Sequence, residues 1–163
     1  MNDEICDVPN FTLRQILLHS HCLHAKPFKI FDGSKPAIPI GMSPPYDIQE
    51  RSFAFACDVI GFCRKLPRTD DALRRLSWQL LAASASIGAN LEEADAGQTK
   101  ADFIAKASIA RKESRESRYW LRLIASAEPR LAQTAGPLID ESTQIYKILT
   151  TIVLNAKSSP GRG

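Results

Sequence analysis

Residues 99–127 read TKADFIAKASIARKESRESRYWLRLIASA, and this stretch decides the fold. Phe103, Ala107, Ala110, Ser114, Ser117, Leu121 and Ile124 recur at intervals of three and four. At 3.6 residues per turn that spacing lines them along one side of a helix. Charged side chains occupy the remaining sides. An isolated helix of this length is marginal in water, so the apolar stripe requires cover from other helices. Thr99 with Asp102 three residues on forms a capping-box-like start, with Asp in place of the usual Glu. The spacing predicts a helix reaching about Ala127.

Working towards the N-terminus, a second helix is predicted from Thr69, with Asp70 and Asp71 in a first turn that favours negative charge. Leu73, Leu76, Leu80, Ser84, Ile87 and Leu91 form its stripe, and Gly97 is its expected stop. The small residues from Ala82 to Ser86, then Gly88 and Ala89, let a neighbouring helix approach closely. Before it, Ile48, Phe55, Ala56, Val59, Ile60 and Cys63 predict a helix from Asp47, its N-cap, to Leu66, stopped by Pro67. Towards the C-terminus, Pro129 and then Gly136-Pro137 are expected to break the chain. Pro137 suits the first turn of a last helix, with Leu138, Ser142, Ile145, Leu149 and Ile152 on one face, Ile148 and Val153 beside them, and an end near Lys157. Four helices with short connections imply an all-α, up-and-down antiparallel four-helix bundle over residues 46–157.

The ends read differently. Residues 1–45 hold six of the ten prolines and all three histidines. They are expected to be a disordered or weakly ordered extension in which only Phe11 to Leu23 carries a helical pattern. Met42 lies just before the ordered pattern, so residues 1–41 are expected to be dispensable. Residues 158–163 read as a disordered tail.

Composition narrows the function. Hydrophobic residues make up 44% and charged residues 24%, a soluble globular balance. No apolar run approaches the roughly 20 residues that span a bilayer. The acidic start Met-Asn-Asp-Glu is unlike a secretory signal. The four cysteines, Cys6, Cys22, Cys57 and Cys63, form no CxxC pair, which points to a reducing, cytoplasmic setting. His19, His21, Cys22 and His24 match no structural zinc spacing. Glu92, Glu93 and Asp95 are paired carboxylates without an accompanying base or nucleophile, and no histidine follows His24 to build a Glu-x-x-His metal site. Phosphate-loop, dinucleotide and nucleophile-elbow motifs are absent. No enzyme and no cofactor is expected.

The remaining chemistry is cationic. Arg111, Arg115, Arg118 and Arg122 are spaced by four, three and four, and Lys100 lies eleven residues before Arg111, close to the same stripe. They stand about 100° round from the apolar face, flanking it. Lys112 adds charge beside them, and Arg68, Arg74 and Arg75 are further candidates from the second helix. Three readings follow. The stripe holds nucleic-acid phosphates, since guanidinium forks match phosphate oxygens. Alternatively it is a solvated face whose charges pair locally with Glu113 and Glu116, or a subunit seam where arginines meet Glu92, Glu93 or Asp95 of another chain. Tyr119 and Trp120 lie inside this segment, where aromatics stack on bases or fill a subunit contact.

The stretch Ser84-Ala85-Ser86-Ile87-Gly88-Ala89-Asn90-Leu91-Glu92-Glu93-Ala94 resembles the SI-x-x-N-hydrophobic-x-E signature of the bacterial four-helix bundle proteins encoded by intervening sequences in 23S ribosomal RNA genes. Lys100 to Lys106 and Lys112 to Leu123 resemble one branch of that family. The resemblance spans about Tyr46 to Lys157, and Ala94 stands where many members carry glycine. It implies a bundle that assembles as a homopentameric barrel. A similar fold is the accessory variability determinant of diversity-generating retroelements, which implies RNA or DNA and a reverse transcriptase as partners. The nucleic-acid contacts would then fall to Lys100, Arg111, Lys112, Arg115, Arg118 and Arg122. The oligomer or partner contacts would fall to Glu92, Glu93, Tyr119 and Trp120.

Overall fold

The structure is a computed structural model that describes residues 48–159 apart from Arg68. The chain forms α1 (Ile48–Cys63), α2 (Asp71–Asp95), α3 (Lys100–Ala127), a 3₁₀ turn at Pro129–Leu131, and α4 (Ala132–Ser158). The described residues contain no strand, so the fold is all-α. Each helix packs against two neighbours, in the cyclic order α1–α2–α3–α4 and back to α1. The expected N-terminal extension, its Phe11–Leu23 helix, the histidine cluster and Asp47 lie outside the described residues.

The helix starts follow local chemistry. Asp70 is the N-cap of α2, its carboxylate accepting from the Leu73 amide at 3.0 Å. Thr99 caps α3: its hydroxyl oxygen accepts from the Asp102 amide at 3.1 Å and its hydroxyl donates to the Asp102 carboxylate at 2.7 Å. Each cap satisfies an amide that has no partner inside the helix. Gly97 sits in the tight turn between α2 and α3, where a Cβ would lie 3.1 Å from the Ala94 carbonyl oxygen and 3.3 Å from the Asp102 Cβ. A side chain there requires these neighbours to give by a few tenths of an ångström.

All seven predicted positions of α3 are buried, as are all five on α4. On α2, Leu76 is only half-buried, and Ala83 and Ala94 join the core instead. On α1 the buried face is Ile48, Ser52, Phe55, Val59 and Phe62, continued by Leu66. Ile60 is exposed, while Ala56 and Cys63 are half-buried. The sequence leaves this face ambiguous because α1 carries apolar residues on nearly every side. After Cys63 the chain tightens, with Lys65 N donating to Phe62 O at 3.0 Å and Leu66 N to Cys63 O at 3.2 Å. That turn swings Leu66 inward.

Gly136-Pro137 does not break the chain. Pro137 is the sixth residue of α4, which begins at Ala132. The proline removes one amide donor to the carbonyl four residues back. That carbonyl belongs to Gln133, an exposed residue of the first turn. Among the described residues five serines are buried in the core. Ser84, Ser114 and Ser142 donate to the carbonyls of Leu81, Arg111 and Ile139 on their own helices. Among the described residues the hydroxyls of Ser52 and Ser117 have no partner. At the rim of the core Arg51 of α1 meets Glu141 of α4 through two parallel bonds of 2.5 and 2.9 Å.

Candidate nucleic-acid interface

The regular register of α3 places its cations. The positions one residue after Ala110, Ser114, Ser117 and Leu121 are Arg111, Arg115, Arg118 and Arg122, so a buried stripe sets an arginine stripe 100° round from it. Arg111 and Arg118 are half-buried; Arg115, Arg122 and Lys112 are exposed. The Arg115 guanidinium lies over the ring of Tyr146 on α4, 5.6 Å from its centroid. The arginine flank of α3 therefore faces α4. On the other flank Lys106 pairs with Glu93 of α2. The cations form a ridge along the α3–α4 seam. The first and last arginines are eleven residues apart, about 16 Å along the helix axis.

Lys100 lies at the far end of this seam. Its ammonium donates to the carbonyl of Ser159, just past the end of α4. A cation there complements the negative end of the α4 dipole. Arg74 and Arg75 do not join the ridge. They sit exposed at the start of α2, where Arg74 borders the cleft towards α1 and pairs with Asp71 at 2.8 Å.

Among the described residues, no carboxylate comes within 4.0 Å of the charged groups of Arg111, Lys112, Arg115, Arg118 or Arg122. Glu113 and Glu116 do not neutralise them. Glu116 accepts from the indole Nε1 of Trp120 at 3.1 Å. Glu113 stands on the α2 side of α3, where burial first, and the negative charge of Glu116 second, hold its carboxyl above the usual carboxylate range. Tyr119 packs edge-to-face against Trp120, with centroids 4.9 Å apart and planes at 70°. Trp120 is half-buried, whereas Tyr119 is 55% exposed. Glu92 is exposed, and Glu93 is engaged by Lys106 within the chain.

Sequence reasoning missed a second surface. A groove of about 750 Å³ runs between α1 and α2, lined by Ala56, Ile60, Cys63, Leu66, Trp78 and Leu81 among others. Trp78 is 68% exposed. Phe53, also 68% exposed, lies two turns before Ile60 on the same side of α1. In the cyclic order of helices, this apolar strip is opposite the cationic ridge. The apolar spacing of α1 hides it, because that spacing places Ile60 and Cys63 on the core face. Among the described residues no group of His, Cys, Asp or Glu could hold a metal ion. No helix among them is long and apolar enough to cross a membrane.

Residues 45–151 match the family model described as 23S rRNA-intervening sequence protein. Among solved structures, one similar chain is a protein with unknown function from the S23 ribosomal protein family of Bacteroides thetaiotaomicron VPI-5482, determined at 1.70 Å. It is 33% identical with a TM-score of 0.59, and the match covers 65% of this chain and 97% of that one. Comparison with curated proteins gave no match.

Proposed function

The chain belongs to the 23S rRNA-intervening sequence protein family, and from that premise we propose that it is a non-enzymatic, oligomeric protein that holds nucleic-acid phosphates on the α3 ridge. One observation carries this reading. Arg111, Arg115, Arg118 and Arg122 line one flank of α3, with Lys112 on the adjoining solvent face, and no carboxylate lies within 4.0 Å of them among the described residues. Like charges held so close repel one another, and a polyanion relieves that repulsion while releasing its own counterions. A helix face of this kind positions a backbone without reading base edges. The family name is consistent with RNA as the ligand.

The architecture proposed with it is an up-and-down antiparallel bundle. Two contacts support that topology: Lys100 at the start of α3 with Ser159 after the end of α4, and Lys106 with Glu93 near the end of α2. Self-association, pentameric as the family resemblance implies, is supported by the apolar strip of Phe53, Ile60 and Trp78, which isolated monomers rarely leave in water. That strip also favours a second reading, a scaffold that docks a protein such as a reverse transcriptase. The variant Arg115→Glu with Arg118→Glu separates the two. RNA binding lost with the oligomer intact is the expected result. Dissociation into monomers would instead make the arginines a subunit contact.

A further inference from the structure

We propose, resting on the phosphate-binding reading of the same ridge, that Tyr119 is a stacking platform for an unpaired base, so that the ligand is single-stranded nucleic acid. Tyr119 lies one turn after Arg115 and one turn before Arg122, so it stands next to those two arginines on the surface of α3. The ring is 55% exposed although aromatic side chains gain much from burial. Leu123, one turn further on and 36% exposed, extends the apolar pad. A chain of contacts holds the platform in place. Glu116 accepts from the Trp120 indole at 3.1 Å, and Trp120 packs edge-to-face on Tyr119 at 4.9 Å. The ring is thus oriented before any ligand arrives, which lowers the ordering cost of binding.

A paired base inside a duplex already has both faces covered by its neighbours and cannot use such a ring. An unpaired base can, and its flanking phosphates then fall to the arginines on either side. Stacking is tolerant of base identity because every base has a π-face, so the preference is for strandedness, not sequence.

The test uses the full chain and fluorescence anisotropy at low salt, with a labelled 12-nucleotide RNA of mixed sequence and the duplex of the same length as probes. The single strand should bind more tightly. Tyr119→Ala should weaken single-strand binding about 5- to 100-fold and leave duplex binding unchanged, whereas Tyr119→Phe should retain wild-type affinity. Because Tyr119 is exposed, circular dichroism of both variants should match the wild type. If Tyr119→Ala binds the single strand as the wild type does, while Arg115→Glu with Arg118→Glu abolishes binding, the platform is overturned and the phosphate ridge stands. If the wild type binds neither probe, the ridge falls and the platform with it.

Discussion

The guanidinium of Arg115 on α3 lies over the phenol ring of Tyr146 on α4 at 5.6 Å, and this contact fixes the seam along which the other arginines are ranged. The ring face attracts a cation without neutralising it, so Arg115 keeps its charge for a ligand.

Tyr146→Leu keeps most of the apolar burial and removes the ring face. We expect a loss of about 0.5–1 kcal/mol in urea denaturation. Arg115→Ala combined with Tyr146→Leu should cost less than the two changes summed. Strict additivity would show that the pair is not coupled.

Arg51 and Glu141 join α1 to α4 in a half-buried, bidentate geometry. Such charge-assisted pairs are the stronger kind, and removing one partner leaves the other poorly solvated. Glu141→Ala should cost about 2–3 kcal/mol in chemical denaturation, and Arg51→Ala a similar amount. A cost under half a kilocalorie would mean that water already replaces the pair.

Ser117 is fully buried and its hydroxyl has no partner among the described residues. An unsatisfied buried hydroxyl is costly, so Ser117→Ala should raise stability by up to about 1 kcal/mol, and Ser52→Ala should behave alike. Ser114→Ala is the control, because that hydroxyl is bonded to the Arg111 carbonyl at 2.8 Å. A clear fall in melting temperature for Ser117→Ala would show that its hydroxyl is satisfied after all.

Burial pushes the Cys63 thiol up to about 11 from its ordinary 9.0. The thiolate is the nucleophile, so at pH 8 only about one molecule in a thousand is reactive at this position. Peptide mapping after brief iodoacetamide treatment should find exposed Cys57 alkylated and Cys63 spared. The sign of the stability effect follows. Between pH 9 and 11 the unfolded thiol ionises before the folded one, so this group's contribution is present below that window and is lost as pH rises through it. Cys63→Ala should flatten that part of the profile.

How much was legible in the sequence depended on how one-sided each helix is. α3 alternates a single apolar stripe with charged flanks, so its buried face, cap and length could be read residue by residue. α1 carries Phe53, Phe55, Ile60 and Phe62 on different sides, and only packing decides which pair is buried. The choice of Phe55 and Phe62 left Phe53 and Ile60 outside, and with them the groove beside Trp78. Pro137 suits a first turn by local rules, which cannot tell that the turn before it stays helical. The order of the arginines was visible in their spacing, but their freedom from carboxylates was not. That required seeing Glu116 turned to Trp120, and Glu93 taken by Lys106.

The most direct measurement is the affinity for single-stranded RNA as a function of salt. Each phosphate neutralised on a single strand contributes about −0.7 to the slope of log K against log salt. Four or five ridge cations engaging phosphates predict a slope of about −3, falling towards −1.5 when Arg115 and Arg118 are both replaced by alanine. No binding at low salt, or a slope near zero that the two replacements leave unchanged, would contradict the account.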